Sequence, residues 1–588
     1  MSEKFGVKRL FSAPRSRWIP LVVICALAAL LLWPVLLGRI FLPLDIVPHL
    51  HPWRFSYERV PVNNPANSDI VQQVYPRRLI TNAMLRAGAW PLWNPTILTG
   101  TPLLADGQMA VFYPPTLLLL ALPLERAFGY YALLQLVLAA GGTYLFGRQL
   151  KLGRGPATLA GICYMFSGYV LTWLQFPHHS GTMAMLPWCF WAVERATQHR
   201  RPGHWLLASV VLALPLVTQI QLAFYIYVGV GFYVLARMIE GGAWRRRVEI
   251  ALGFSAAVLL ACALSAAQLL PQFALSAQGQ RVEQVSEAGT SETQFTTLLR
   301  LGLPLIGGRP RAAAPAWGPQ LLQAPVPYAG LAPLLLAVVA LVWSGRAATT
   351  FFALLAIGSF AIAVGSPLLP LFIALVPPYR QFADHSRWFV LWGFAIAVLA
   401  GAGAQVLFSR DNVLTVSERR RTMINRLLLA SVVLFLAAWS WRHLALFTPQ
   451  SRYGMYITEI RLQPWRVAIL LAVAAVAAVA LSRARRVPHG LRWAALLAVL
   501  AGDLLWYGGS YNTSTSPDVF KPTTDLLAAL PGDVQHKPGE TLYPPTRQIA
   551  FLQSQPRPFR FLAGDYPALL PNLATAYGLE DVRGYQSL

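Results

Sequence analysis

Apolar runs of about twenty residues recur along this chain, and arginine and lysine cluster in the short loops between them. A run of that length is what an α-helix needs to cross the hydrocarbon core of a bilayer. Irregular chain and open sheet cannot replace it there, because every backbone N–H and C=O must be satisfied inside the segment. The composition agrees. The 588 residues are 56% hydrophobic and only 12% charged, where a soluble domain carries about a quarter charged residues. The net charge of +24 in a soluble chain points to nucleic acid. Here the basic residues sit in loops, as cytoplasmic anchoring requires, so the expected partner is the lipid bilayer and not nucleic acid.

The runs place helices at about 18–40, 127–148, 156–175, 180–197, 204–218, 219–238, 248–270, 328–344, 347–365, 385–408, 425–446, 464–482 and 490–508. The fold class is a polytopic α-helical membrane protein of about thirteen transmembrane helices. The basic start, Lys4, Lys8, Arg9, Arg15 and Arg17, lacks an A-x-A cleavage site and reads as the flank of a retained first helix. It keeps the N-terminus cytoplasmic and sends the loop 41–114 outside. With that start, Arg148/Lys151/Arg154, Arg195/Arg200/Arg201, Arg245–Arg247, Arg346, Arg419–Arg421/Arg426 and Arg483/Arg485/Arg486 all land inside, which supports the count. The Leu-rich pieces 116–124 and 366–376 are too short to span and read as re-entrant or interfacial. The division is a membrane domain, 1–508, and a small extracytoplasmic C-terminal region, 509–588. The membrane domain carries 41–114 as first outer loop and 271–327 as a second large one. The terminal region, at roughly 80 residues, is expected to pack on the membrane part.

The first outer loop concentrates polar residues. Asp45 follows helix one directly. From Ser68 onward Ile70, Val74, Ile80 and Met84 recur at near-helical spacing with Arg77, Arg78 and Arg86 between them, the pattern of an amphipathic helix lying along the outer surface. Ser68 is its expected N-cap, and Asp69 falls in the first turn, where the helix dipole favours the ionised form. An ionised carboxylate at a membrane surface suits a general base for an acceptor hydroxyl; capping and plain solvation are the competing uses. Arg77 and Arg78 suit a lipid-linked phosphate, or snorkel to the interface. Trp93 suits a sugar face or an interfacial anchor.

Beyond the loop, His178 and His179 lie at an outer helix junction. Two adjacent histidines cannot easily share one metal, and no third ligand is signalled. Gln219 and Gln221 sit in a tight outer turn, and Asp384, His385 and Arg387 form another polar knot. Asp503 lies within an apolar run, a functional or pairing candidate by its cost alone. Cys25, Cys163, Cys189 and Cys262 lie in apolar runs without CxxC spacing, so neither disulfides nor zinc are signalled. No nucleotide-binding or hydrolase motif stands in a convincing context. No cofactor is assigned, and no motif decides whether a divalent metal is needed.

The runs SDIVQQVYPRRL, GAWPLWNPTILTGTPLLADGQMAVFYP, MFSGYVLTWLQFPHHSGTMAMLPW, SRWFVLWGFAIAVLAGAG and LPNLATAYGLEDVRGYQSL together resemble the YfhO-type bacterial membrane proteins, in the same order along most of the chain. That family looks like part of the GT-C glycosyltransferase superfamily. The resemblance implies a GT-C-like scaffold in the bacterial inner or plasma membrane. It also implies a polyprenyl-phosphate-linked sugar donor, an envelope glycan, lipid or protein acceptor, and an acidic residue of the first outer loop as base. By matching motifs, Asp69 stands with Gln73 and Pro76 in an Asp-x-x-x-Gln element, and Asp45 matches an earlier aspartate. Pro91, Trp93, Asn94, Gly100, Gln108, Tyr113 and Pro114 match the rest of the loop, and Asn572, Gly578, Asp581, Arg583, Gly584 and Tyr585 the terminal motif. LLQAPVPYAG lacks an acidic residue expected before its Tyr–Gly pair region, and 533–540 carries extra residues. The implied activity is inverting sugar transfer with Asp69 or Asp45 as catalytic base. The expected substrate-binding set is Gln73, Arg77, Arg78, Trp93, Asn94, Gln108, Tyr113, His178, His179, Gln219, Arg387, Asp581 and Arg583. A transporter or flippase of lipid-linked glycans, and a non-catalytic envelope scaffold, are the alternatives.

Overall fold

The computed structural model describes residues 15–240, 242–278, 297–298, 300–301, 327–376, 379, 384–408, 419–420, 422–427, 429–430, 487–511, 514–516, 542–544, 546–562 and 569–584. Most of the expected span at about 425–446, the span at 464–482, the loop 447–463, most of 271–327, the 533–540 stretch and Tyr585 lie outside the described residues. Among the described residues, Leu124–Gln149, Ile220–Glu240, Trp244–Leu264 and His385–Phe408 are long and apolar enough to cross a membrane. Ala347–Ala363 and Leu368–Leu375 make a fifth if the pair, bent by 97° at its break, is taken as one span. Trp18–Leu31, Pro202–Leu216 and Leu331–Trp343 are apolar but shorter. The expectation of about thirteen spans is thus not reached among these residues. The run 156–175, read as one span, is two helices, Arg154–Met165 and Gly168–Thr172, because the chain breaks at Phe166 and Ser167. The short piece at 366–376 does turn sharply away from its neighbour, as a re-entrant or interfacial element does.

Burial separates centre from rim. The His385–Phe408 window is 78% buried and the Trp244–Leu264 window 17%, so the first is the hub and the second an exposed apolar helix at the rim. Phe389–Phe408 packs against Leu331–Trp343, Arg154–Met165 and Ala347–Ala363; Leu124–Gln149 packs against Pro177–His199 and Arg154–Met165. Small residues set the crossings, since lipid tails give helices no hydrophobic reason to associate and close approach must do it. A Cβ on Gly403 falls 1.8 Å from the Leu336 carbonyl oxygen, so two backbones touch there. Phe146, Phe190, Tyr233, Phe352 and Phe394 fill the middle with ring contacts of 5.1–6.1 Å.

Two buried carboxylates in the helices are explained by neighbours. Asp503 accepts from the Leu331 backbone N–H at 2.8 Å and from the Tyr328 hydroxyl, which caps the start of Leu331–Trp343. It therefore pairs with a helix end and not with an arginine. Glu194 accepts from Tyr233 at 2.9 Å and from Gln198 at 2.6 Å, and pairs with Arg237 at 3.0 Å.

The long loop after the first helix is a compact layer. It holds turns at Leu44–His49, Trp53–Phe55 and Pro65–Asn67, a wide π-turn at Ile70–Val74, the helix Tyr75–Arg86, and a two-residue antiparallel pair, Trp93–Asn94 with Thr101–Pro102. The C-terminal region closes over it. Thr515 bridges to Ile40, the Trp53 indole donates to the Pro544 carbonyl at 2.8 Å, and the Tyr543 hydroxyl donates to the Val71 carbonyl. The Asp581 N–H donates to Thr96 at 3.0 Å. The expected packing of this region on the rest of the chain is seen.

Gly403→Ala is expected to lower stability by about 1–3 kcal/mol, the cost of overpacking, seen as an earlier thermal unfolding midpoint in detergent. Gly358→Ala, where a Cβ meets nothing within 4 Å, is the matched control and leaves the midpoint unchanged or raises it.

Candidate functional site

The helix that carries Asp69 starts earlier than its pattern suggests. Asn64 accepts from the Ala66 N–H at 3.1 Å with Pro65 in the first turn, so Asn64 is the cap, and Ser68, already helical in φ and ψ, is not. Pro fits a first turn because its missing N–H has no partner there anyway. Asp69 sits just before the π-turn and makes no capping bond. It is half-buried. Burial raises its carboxyl above the ordinary range, with Gln73 and Arg77 pulling it back.

The same helix does not lie on the surface. Arg77 and Arg78 are both 2% exposed, because each finds a fixed partner that replaces water. Arg77 donates to Asp106 at 2.5 Å and to Gln108 at 3.5 Å. Arg78 donates to the Met109 carbonyl. Asn82 donates to Leu119 at 2.6 Å and Arg86 to Leu120 at 2.8 Å. One edge of the helix thus binds the chain from 106 to 120, and neither arginine snorkels.

Asp45 is buried on the adjoining turn, Leu44–His49, which packs against Ile70–Val74. Its Oδ2 accepts from the Asn63 backbone N–H at 2.6 Å and side-chain amide at 3.0 Å, while Oδ1 is buried without a partner. Burial pushes this carboxyl up, against the two Asn63 bonds.

A second group meets the loop through Asn67, whose amide donates to Gln175 at 2.5 Å. Gln175 precedes the helix Pro177–His199, which begins with the buried pair His178 and His179. The His179 ring stacks on the Trp173 indole, centroids 4.5 Å apart and planes 10° apart. The Arg387 guanidinium lies 5.7 Å from the same indole, and its Nε holds Asp384 at 3.1 Å. Arg387, Arg78 and Arg77 all bear electrostatically on His178. Gln73 and Arg77 thus bear on Asp69, Gln108 meets Arg77, and Arg77 and Arg78 also bear on His178 beside His179 and Arg387.

Other expected site residues have structural work. Asn94 Oδ1 accepts from Thr96 N–H at 3.0 Å and its hydroxyl at 2.6 Å. Trp93 is exposed and covers Gly100, whose φ is +116° and whose Cβ position lies 2.6 Å from the ring. Tyr113 donates to Gln135 at 2.9 Å. Gln219 accepts from Leu222 N–H at 2.6 Å, at the start of Ile220–Glu240. Asp581 is held by Arg583 at 2.8 and 3.1 Å, and the Leu98 N–H donates to the Arg583 carbonyl at 3.3 Å, so this motif docks the tail on the loop. Asn63, Trp173 and Gln175 were missed from the sequence. Trp173 reads there as one more apolar residue of a span; its place five residues before a histidine pair is the only signal. Among the described residues no group of three or more His, Cys, Asp or Glu is placed to hold a metal ion.

The family model described as bacterial membrane protein YfhO matches residues 108–505. No curated protein matches the chain. Among solved structures, a mycobacterial arabinofuranosyltransferase is similar at 16% identity over 71% of this chain, with a TM-score of 0.34. The Archaeoglobus fulgidus oligosaccharyltransferase tethered to an acceptor peptide is similar at 13% identity over 97% of this chain, TM-score 0.44. The same archaeal enzyme with an inhibitory peptide and a dolichol-phosphate gives 15% identity and 0.40. This chain spans 27% of the first protein and 64% of the second.

Asp106→Ala removes the carboxylate beside a buried guanidinium and is expected to cost about 3 kcal/mol or more. The double change Arg77→Met with Asp106→Leu recovers most of that loss, because an apolar pair replaces a buried ion pair at little net cost. Thermal unfolding of the three proteins checks it.

Proposed function

Because the chain belongs to the YfhO family of bacterial membrane proteins, we propose that it is a membrane glycosyltransferase of GT-C type. It moves a sugar from a polyprenyl-phosphate donor to a cell-envelope acceptor on the extracytoplasmic side of the bacterial plasma membrane. The observation that carries this reading is the meeting of carboxylate and cations. Asp69 is half-buried and basic for an aspartate, within electrostatic reach of Arg77, on a loop tied by Asn67 and Gln175 to the His178, His179 and Arg387 cluster.

Asp69 takes the proton of the acceptor hydroxyl. The acceptor oxygen attacks the anomeric carbon, the bond from that carbon to the phosphate oxygen breaks, and polyprenyl phosphate leaves with both electrons, inverting the sugar. A base gains strength as its pKa rises, which is what burial does to Asp69. Arg77 and Arg78 are bound inside the loop and act as positioning residues. Arg387 spends only Nε on Asp384, so its Nη groups are the cationic donors that offset charge on the leaving phosphate. Asp45 stands more deeply buried, one oxygen held by Asn63, on a turn that packs against Ile70–Val74.

Purified protein given a labelled lipid-phosphate sugar should release polyprenyl phosphate and glycosylated acceptor. Asp69→Asn is expected to lower the rate by about 10²–10⁴, the usual share of a general base, and Asp45→Asn by less. Full activity in Asp69→Asn removes the assignment, and a loss confined to Asp45→Asn moves the base there.

The acid limb of the rate profile supplies a second check. The base works deprotonated, so transfer falls as pH drops through the raised Asp69 value. That limb is expected above the ordinary aspartate value of about 3.9 and is absent in Asp69→Asn.

A further inference from the structure

Six polar atoms between Ser167 and His179 are buried and make no hydrogen bond. They are Ser167 Oγ, Tyr169 Oη, Trp173 Nε1, His178 Nδ1 and both ring nitrogens of His179. Native interiors leave only a few such atoms per hundred residues, because each costs free energy when dry. Six within thirteen residues mark a place built for something polar.

The chemistry of the cluster names what that is. The indole N–H only donates, the phenol and imidazole groups can donate, and Arg387 adds two Nη groups without hydrogen bonds. The carboxylate beside Arg387 is taken up: Asp384 accepts from Arg387 Nε at 3.1 Å, from Ser386 N–H at 3.1 Å and from the Ser386 hydroxyl. The Asp384 carbonyl is itself fixed by Tyr225 at 3.1 Å, so the guanidinium is held from behind. The groups are close: Trp173 to His179 is 4.5 Å, His178 to His179 is 4.4 Å and Arg387 to the Trp173 ring is 5.7 Å. Arg387 and Asp384 also bear on the Tyr169 hydroxyl. A fixed cation among donors, with its counter-carboxylate already bound, suits a phosphate oxyanion, whose oxygens accept the planar Arg fork.

We propose that Arg387, His178, His179, Trp173 and Tyr169 form a phosphate site that grips the head of a lipid-borne phosphate ester. The lipid part of this assignment rests on the glycosyl-transfer reading; the phosphate part rests on the cluster alone. Of the three arginines expected at the phosphate, Arg77 and Arg78 are bound within the loop, and Arg387 uses only its Nε, on Asp384.

The full chain in lipid nanodiscs tests this with two probes, polyprenyl phosphate carrying no sugar and inorganic phosphate. Saturable binding of polyprenyl phosphate is expected, weakened about tenfold or more in Arg387→Gln, as for a lost charge-assisted contact, and severalfold in His179→Asn. Arg387→Lys, which keeps the charge but not the fork, falls between. Arg200→Gln, in an exposed surface pair with Glu249, binds as the parent does. Inorganic phosphate competing only at far higher concentration supports the lipid-borne head, and equal binding of the two overturns the lipid part. Unchanged affinity in Arg387→Lys and His179→Asn proteins that elute as the parent does overturns the site. No sugar is present, so loss of transfer in Asp69→Asn cannot mimic that failure.

Discussion

Two guanidinium groups on one turn of helix hold the loop layer in shape. Arg77 reaches Asp106, Arg78 reaches the Met109 carbonyl, and Asn82 and Arg86 continue the row to Leu119 and Leu120. A charged hydrogen bond is worth about 1.5–3 kcal/mol, and an abandoned buried charge costs more. The row therefore fixes how the Tyr75–Arg86 helix lies against the chain leading into Leu124–Gln149. Asp69 precedes that helix by one π-turn, Ile70–Val74.

The membrane character of the chain was legible because apolar length is a direct physical requirement. Leu124–Gln149 and Ile220–Glu240 lie within a few residues of the expected 127–148 and 219–238. Where the pattern misled, the deciding partner was distant in sequence or was the backbone. Ser68 and Asn64 are both good caps by type, and Pro65 beside Asn64 settled the choice. Arg77 looked like an interfacial cation because Asp106, 29 residues away, leaves no periodic trace. Asn94 and Gln219, expected at the ligand, also each satisfy a nearby backbone N–H, a local use that these side chains share with turns everywhere.

The proposed site was half legible. Its polar residues fall in short islands, and these could be picked out one by one. What could not be read is which island faces which. The pairing of the 173–179 turn with Arg387 depends on the hub helix Phe389–Phe408 crossing beside Arg154–Met165, and that crossing is set by glycines whose role shows only when two backbones meet. Gly401 is one, with a Cβ position 2.9 Å from the Pro156 carbonyl.

The interlock between the loop layer and the tail also has a meaning in time. Trp53 meets Pro544 across 491 residues, Tyr543 meets Val71 across 472, and Thr96 meets Thr575 across 479. Chains are made at about 5–20 residues per second, so the first loop waits on the order of 25–100 s after its own synthesis before these partners exist. During that interval the Trp53 indole and the Val71 carbonyl lack the partners they finally keep. In a nascent chain of this design the first loop stays open to other contacts until Tyr543, Pro544 and Thr575 arrive.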